Sequence, residues 1–370
     1  GAIKMPKVTD LLAIAVQADV IPLQEGPPGS GKTATSRALA AALGMRFDYV
    51  AGGSAKDDDC YVNHVTSDGR LRRVPAQWAH EAKEAFERDG TLTLYLVDEL
   101  TDMPRLVQAA YQTVLSERRI GSFELPFIRF VAACNPPEIA TNGAERPPAI
   151  ANRFLHLPSG LITDTEEWCA GLLAGFPPAT LPKLPAGWEV GIGEAAAVIT
   201  AYATRMPAAF ANDVPRDTVQ QGRAWASRRT WTWTARILAA CKAAAVPEEV
   251  RMTLVAGLIG EACALPFLVW LHELDLPDPE EILKDPSKLK LPARGDLRHA
   301  VFASIVAAVL RRNTPERWAA ACEALCTAGE DSLDVVTHAA RALMAHKPAG
   351  TTTPAVVGKL LPLLKAAGLA

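Results

Sequence analysis

The feature that most constrains the fold of this chain is the octapeptide Gly-Pro-Pro-Gly-Ser-Gly-Lys-Thr at residues 26–33, which follows the apolar run Val20–Leu23. A G-x-x-x-x-G-K-[ST] pattern between a strand and a helix indicates a phosphate-binding loop. Its glycines let backbone N–H groups face phosphate oxygens, its lysine neutralises the β- and γ-phosphates, and its threonine hydroxyl is a Mg²⁺ ligand. The residues predicted to bind the nucleotide are Gly26, Pro27, Pro28, Gly29, Ser30, Gly31, Lys32, Thr33 and Ala34.

Strands and helices alternate up to about residue 160, which predicts a three-layer αβα sandwich with a parallel sheet. The predicted elements are strands at Val20–Leu23, Arg46–Val50, Leu92–Val97 and Phe127–Ala133, helices at Thr33–Leu43, Pro75–Arg88 and Pro104–Leu115, and two short extended pieces at Ile120–Leu125. Alanine- and leucine-rich stretches dominate after Gly193 and predict helices. We therefore expect an α/β core over 1–160, a linker over 161–190, an all-helical lid over 191–276 and a helical C-terminal region over 277–370.

Composition narrows the class of protein. The chain has 370 residues, 49% of them hydrophobic, which is enough for sizeable cores. Its longest apolar candidate for a membrane span, Met252–Leu274, is broken by charged residues and a proline, so no span is expected. A net charge of −3 gives no electrostatic footprint for nucleic acid. With no secretory leader expected and seven scattered cysteines interpreted as reduced thiols, we expect a cytoplasmic protein.

A second motif consists of two adjacent acids, Asp98 and Glu99, at the end of the apolar strand. Carboxylates at the carboxyl edge of a parallel sheet lie where ligands of open α/β folds bind. Asp98 is expected to hold Mg²⁺ together with Thr33, and Glu99 to orient and deprotonate the attacking water. Taken alone, the pair could instead cap the next helix, but the phosphate-binding loop upstream favours the catalytic interpretation.

Two further polar residues follow in the order that a nucleotide hydrolase needs. Asn135 ends the next apolar strand, where an amide can hydrogen-bond the attacking water or the γ-phosphate. Arg153 precedes Phe154 after a short predicted helix. By themselves, Asn-Pro at 135–136 is an ordinary turn signal and Arg153 an ordinary surface charge.

With these elements in this order, the first 160 residues closely resemble an AAA+ ATPase of the MoxR type. The resemblance identifies residues 26–33 as Walker A, Leu94–Glu99 as Walker B, Asn135 as sensor 1 and Arg153 as the arginine finger, with Arg146 next in line. The segments Cys60–Pro75 and Ser116–Phe130 resemble the helix-2 and pre-sensor-1 hairpins, which face the pore of a ring in that family. The segment Ser227-Arg228-Arg229 resembles sensor 2, where an arginine reaches the γ-phosphate of its own subunit's nucleotide from the lid, with Arg229 favoured over Arg228. The resemblance fades after about Lys242.

This resemblance implies a Mg²⁺-dependent ATPase that works as a homo-oligomeric ring, expected to be a hexamer, in which Arg153 acts on the ATP of the neighbouring subunit. It also implies a remodelling chaperone whose client is a protein, often one with a von Willebrand A domain. Three alternatives stay open. A nucleic-acid motor would use Arg70, Arg72, Arg73, Arg118 and Arg119 near the hairpins. A phosphotransferase would need an acceptor site, and a scaffold would bind nucleotide without turnover.

Overall fold

Five parallel strands form one sheet. The structure is a computed structural model, which describes residues 6–139, 146–158, 165–176, 178, 180–211, 213–274, 276–327 and 333–359. The sheet strands are β1 (Pro22–Glu25), β2 (Arg46–Ala51), β5 (Thr93–Asp98), β8 (Ile128–Cys134) and β9 (Leu155–His156), and their order across the sheet is β2-β5-β8-β1-β9. Nearly every residue of β5 and β8 is buried, as expected for central strands covered on both faces. The predicted α/β sandwich with a parallel sheet is therefore confirmed.

Helices cover the faces of this sheet because each parallel connection has to cross over it. They are α1 (Val8–Gln17), α2 (Lys32–Ala42), α3 (Gln77–Asp89), α4 (Arg105–Glu117) and the one-turn α5 (Pro148–Ala151). A hydrophobic core joins the inner faces of α3 and α4 to the sheet, with Tyr95, Tyr111 and Phe130 among its largest buried side chains. Neither α1 nor β9 was among the elements predicted from the sequence.

The register of the strands gathers the predicted site at one edge of the sheet. Glu25 of β1 pairs with Cys134 of β8, and Ala51 of β2 pairs with Asp98 of β5. Asp98 is the last residue of β5, and the phosphate-binding loop, Glu99 and Asn135 directly follow the ends of their strands. All of them therefore lie at the carboxyl edge, where open α/β sheets bind ligands.

Two antiparallel hairpins extend the first half of the chain. Strands β3 (Tyr61–Val65) and β4 (Leu71–Pro75) form one hairpin, whose turn contains Gly69 at φ 78°. Strands β6 (Arg119–Ile120) and β7 (Phe123–Glu124) form the other. The hairpins touch, because a side chain at Gly121 would meet the backbone of Arg73 at 3.4 Å. Both hairpins lie within the two segments that the sequence marked as hairpin inserts.

Every regular element described after β9 is helical, as predicted. These elements are α6 (Thr165–Ala174), α7 (Ile192–Arg205), α8 (Thr218–Gln221), α9 (Arg228–Ala243), α10 (Glu248–Ile259), α11 (Glu261–His272), α12 (Pro279–Lys284), α13 (Gly295–Arg311), α14 (Pro315–Thr327) and α15 (Leu333–Ala345). Helix α6 falls in the stretch expected to be a linker. None of the helices in the described ranges is long and apolar enough to cross a membrane.

The chain forms two compact units. The first contains residues 1–186 and 212–264, so α9 and α10 belong with the sheet, and α10 packs so closely on β9 that a side chain at Gly257 would meet the His156 carbonyl at 2.3 Å. The second contains residues 187–211 and 265–370, with a core that includes the fully buried Trp318 of α14. The four domains expected from the sequence stay a prediction.

Candidate nucleotide site

The phosphate-binding loop ends where α2 begins. Its last glycine, Gly31, is the residue before the helix and has φ 87°, a left-handed conformation that favours glycine. Lys32, the first helical residue, is buried, and its ammonium group donates to the carbonyls of Gly26 at 2.6 Å and Pro27 at 3.0 Å. Its third hydrogen bond, at 3.3 Å, goes to Oδ1 of Asn135. The lysine therefore points along the inside of its own loop and toward the end of β8.

The two predicted Mg²⁺ ligands lie in direct contact. The hydroxyl of Thr33 donates to Oδ2 of Asp98 at 2.6 Å. A hydroxyl and a carboxylate are hard oxygen donors, which is the donor type that Mg²⁺ prefers. Among the described residues no cluster of three or more His, Cys, Asp and Glu side chains could hold a metal ion by itself. This pair fits a magnesium ion held by one or two protein oxygens and the phosphates.

Glu99 adopts a left-handed backbone conformation, with φ 51°, directly after β5. Its carboxylate accepts a hydrogen bond from the backbone N–H of Gly53 at 3.0 Å. The turn is tightly enclosed, since a side chain at Gly52 would come within 2.3 Å of the Glu99 carbonyl oxygen. A non-glycine residue in this conformation is uncommon and is a reason to look for function. The end of β2 thus fixes where Glu99 stands, a contact that the sequence did not indicate.

Asn135 joins Lys32 to a third acidic residue. While its Oδ1 accepts from Lys32, its Nδ2 donates to Oδ2 of Asp102 at 3.4 Å. Asp102 lies three residues after Glu99, so an acidic residue near the paired acids was visible in the sequence. It was not assigned a role because it lies beyond the end of the predicted strand. The structure therefore brings Lys32, Thr33, Asp98, Glu99 and Asn135 to the same edge of the sheet, and their roles stay a prediction.

Arg146, the second candidate for the arginine finger, lies at the same carboxyl edge and is only 5% exposed. It forms an ion pair with Glu25 at 2.5 Å and donates to the carbonyl of Gly222 at 3.1 Å. It also contacts the sulfur of Cys134 at 3.3 Å, and burial raises the pKa of this thiol to about 12. Arg146 therefore binds the ends of β1 and β8 to the loop before α9, and it has no free face for a second subunit.

Arg153 lies at the amino edge of the sheet, where the parallel strands begin, opposite the carboxyl edge that holds the phosphate-binding loop. It precedes Leu155, which pairs with Pro22 at the start of β1, whereas the phosphate-binding loop follows the end of β1. Four residues of strand, about 10 Å, separate these two edges. The Arg153 guanidinium is tied to the Ser116 hydroxyl and the Ala149 carbonyl.

Arg229 shares this edge with Arg153. Its guanidinium donates to the Asn152 carbonyl at 3.4 Å, and its charge, together with burial as the larger cause, lowers the pKa of Arg153. Asn152 also holds the N-terminus of α9, because its Oδ1 accepts from the hydroxyl of Ser227 at 2.6 Å. The two predicted arginines thus belong to different elements that Asn152 joins: half-buried Arg153 precedes β9, and exposed Arg229 lies in the first turn of α9.

The sheet order, the loop on α2 and the acids after β5 define a P-loop nucleotide-binding core. Residues 23–154 match the family "AAA domain (dynein-related subfamily)". This part of the chain is therefore similar to an AAA domain, the domain type of AAA+ ATPases.

Comparison with curated proteins finds no match. Among solved structures, the chain is similar to a protein from Cytophaga hutchinsonii ATCC 33406 described as a "putative ATPase". The two are 17% identical, the match covers 72% of this chain and 88% of the other, and the TM-score is 0.43.

Proposed function

We propose that this protein is a Mg²⁺-dependent ATPase of the MoxR type that assembles into a ring, expected to be a hexamer, and remodels a protein client. The observation that carries the proposal is the location of Arg153. The register of the sheet strands puts Arg153 at the edge away from its own phosphate-binding loop, which supports a role at the site of another copy. Assembly is then part of catalysis.

Within one subunit, the residues at the carboxyl edge divide the work. Lys32 and the loop amides hold the phosphates, while Thr33 and Asp98 would hold a Mg²⁺ ion, which would supply charge neutralisation to the phosphates. Glu99 turns from the Gly53 amide toward the water and takes its proton. Asn135 positions that water.

The proximity of Arg153 and Arg229 supports a shared role for the two side chains. Burial lowers the pKa of Arg153, and the positive charge of nearby Arg229 lowers it further. A phosphate between them would remove that repulsion and accept hydrogen bonds from both. We propose that both arginines reach the γ-phosphate bound by the neighbouring subunit. This differs from the expectation that Arg229 serves its own subunit's nucleotide from a lid.

The exposed side chains of the β3–β4 hairpin favour a protein client. Four aliphatic residues are between 39% and 68% exposed there: Val62, Val65, Leu71 and Val74. Exposed apolar residues concentrated on one hairpin indicate contact with another protein. A client with a von Willebrand A domain is the partner class that the family resemblance supplies.

Nucleic acid is the second candidate, because Arg70, Arg72 and Arg73 are exposed on the same hairpin. Arg118, however, is not available to it. It pairs with Asp19 at 2.8 Å and lies 5.0 Å from the centre of the Phe130 ring, so its guanidinium is already engaged within the subunit. Binding of single-stranded DNA that weakens with salt and stimulates turnover would favour this alternative.

The test is a mixing experiment with two variants, each of which should be inactive alone. Lys32→Ala cannot hold nucleotide but still supplies Arg153, whereas Arg153→Ala binds nucleotide but supplies no finger. In a randomly mixed ring at equal concentrations, about one quarter of the interfaces combine an intact loop with an intact arginine, so turnover should recover to about one quarter of the native value. The same mixture with Arg229→Ala tests the second arginine.

Each outcome has a distinct meaning. Recovery in the Arg153 mixture supports completion of the site between subunits, and specific activity that rises with concentration in the native protein supports it independently. If Arg153→Ala alone hydrolyses ATP normally, the arginine assignment is wrong. If the native protein binds ATP without turnover at any concentration, a scaffold with a structural nucleotide replaces the ATPase.

A further inference from the structure

Asp102 is a charged side chain at the edge of the candidate site that the mechanism above does not use. It lies in the turn after β5, where its backbone N–H donates to the Glu99 carbonyl at 2.9 Å. Its Oδ2 accepts from the amide of Asn135 at 3.4 Å. Its Oδ1 is buried and has no hydrogen-bond partner within the described residues. Burying a carboxylate oxygen without a hydrogen bond costs free energy of folding, so this position of Asp102 calls for an explanation.

The contact fixes which end of the Asn135 amide faces the nucleotide. An amide side chain has a donor end and an acceptor end, and a carboxylate can only accept. Because Asp102 takes the Nδ2 end, Oδ1 is the end directed toward Lys32. Without this neighbour, the side-chain amide of Asn135 could rotate by 180° and present its NH₂ group toward the nucleotide instead.

Lys32 determines what that oxygen does when nucleotide is bound. An ammonium group has three hydrogen-bond donors, and all three are occupied by Gly26, Pro27 and Asn135. A phosphate can reach the lysine only if one of these bonds opens, and the bond to Asn135 is the longest of them. When that bond opens, Oδ1 of Asn135 no longer accepts a hydrogen bond from Lys32. A phosphate oxygen cannot donate to it, but a water molecule can.

We propose that Asp102 is a positioning residue that holds the Asn135 amide with Oδ1 toward the γ-phosphate, so that Asn135 acts as a hydrogen-bond acceptor for the attacking water. Water held by Glu99 and by Asn135 Oδ1 has both hydrogens bound, which leaves a lone pair free to point at phosphorus. This inference rests on the proposed ATPase function.

The first experiment is a double-mutant cycle on turnover. Asp102→Ala should lower kcat about tenfold and change the ATP concentration at half-saturation less than threefold, because it misplaces the water and leaves the loop intact. Asp102→Asn keeps an oxygen that accepts a hydrogen bond from Nδ2 of Asn135, so this variant should retain most of the native kcat. In an Asn135→Ala background, Asp102→Ala should have no further effect, since Asp102 acts through that amide. Equal losses in both backgrounds, or no loss in the native background, would overturn the proposal.

A second cycle does not require turnover. Asn135→Asp replaces the amide donor by a carboxylate opposite Asp102, and the repulsion should lower Tm at pH 8 by about 2–4 °C. Adding Asp102→Asn should recover that loss, although Asp102→Asn alone should not raise Tm. If Tm is lowered equally with and without Asp102→Asn, the two side chains do not interact and the proposal fails. If this cycle succeeds while the native protein shows no turnover, the contact is real and the proposed function is the part that fails.

Discussion

Replacing Arg146 tests whether this arginine holds the sheet together or serves catalysis. In Arg146→Met the apolar stem is kept and the guanidinium removed, which leaves the Glu25 carboxylate without its partner at 2.5 Å and the Gly222 carbonyl without its donor. Removing one member of a buried ion pair costs about 3–5 kcal/mol. The Glu25 side chain is 22% exposed and keeps some hydration, so we expect the lower value, about 3 kcal/mol.

For a unit of this size, that loss corresponds to a decrease in Tm of about 6–12 °C, measured without nucleotide by thermal unfolding. The matched control is Arg153→Met, which removes a half-buried guanidinium and should change Tm by less than about 2 °C while abolishing most turnover. In Glu25→Gln/Arg146→Met part of the loss should return, because a neutral amide costs less to bury than a carboxylate. A Tm of Arg146→Met within about 2 °C of the native value would refute the structural role of this arginine.

Two further predictions concern Glu99 and His156. Glu99→Gln keeps an oxygen that can accept from the Gly53 amide but loses the base, so kcat should fall by about 10² to 10⁴ while nucleotide binding persists. Turnover within threefold of native would exclude Glu99 as the base. Burial, followed by smaller effects of its surroundings, lowers the pKa of His156 to about 4, and its Nε2 lies 2.8 Å from the Ala151 carbonyl. Since the folded pKa lies below the unfolded value, stability that is present above pH 6.5 should decrease as pH falls toward 4. His156→Gln should flatten the Tm profile in that window, and an unchanged slope would contradict the assignment.

The elements with a strong local signal could be predicted from the sequence. The octapeptide at 26–33 needs its glycines and lysine in fixed positions, and Asp98-Glu99 follows an unbroken apolar strand, so both appeared in the expected place. The Asp68-Gly69 pair predicted the turn of the first hairpin, because glycine accepts the positive φ found there.

Features that depend on long-range contacts could not be predicted in the same way. Arg146 contacts Glu25, 121 positions away, and no local pattern distinguishes it from a surface arginine. Arg153 and Arg229 lie near each other because Asn152 accepts a hydrogen bond from Ser227, which is 75 positions away in the sequence. Strand β9 has two residues, too few for any periodicity, yet its register decides on which edge Arg153 lies.

The hydrogen bond between Asn152 and Ser227 couples the position of Arg153 to the N-terminus of α9. Asn152, the residue before Arg153, accepts hydrogen bonds from Ser227 and Arg229 at the start of α9. In the proposed ring, a rotation of α9 would therefore move Arg153 and Arg229 together, and each nucleotide site would gain or lose both positive charges at once.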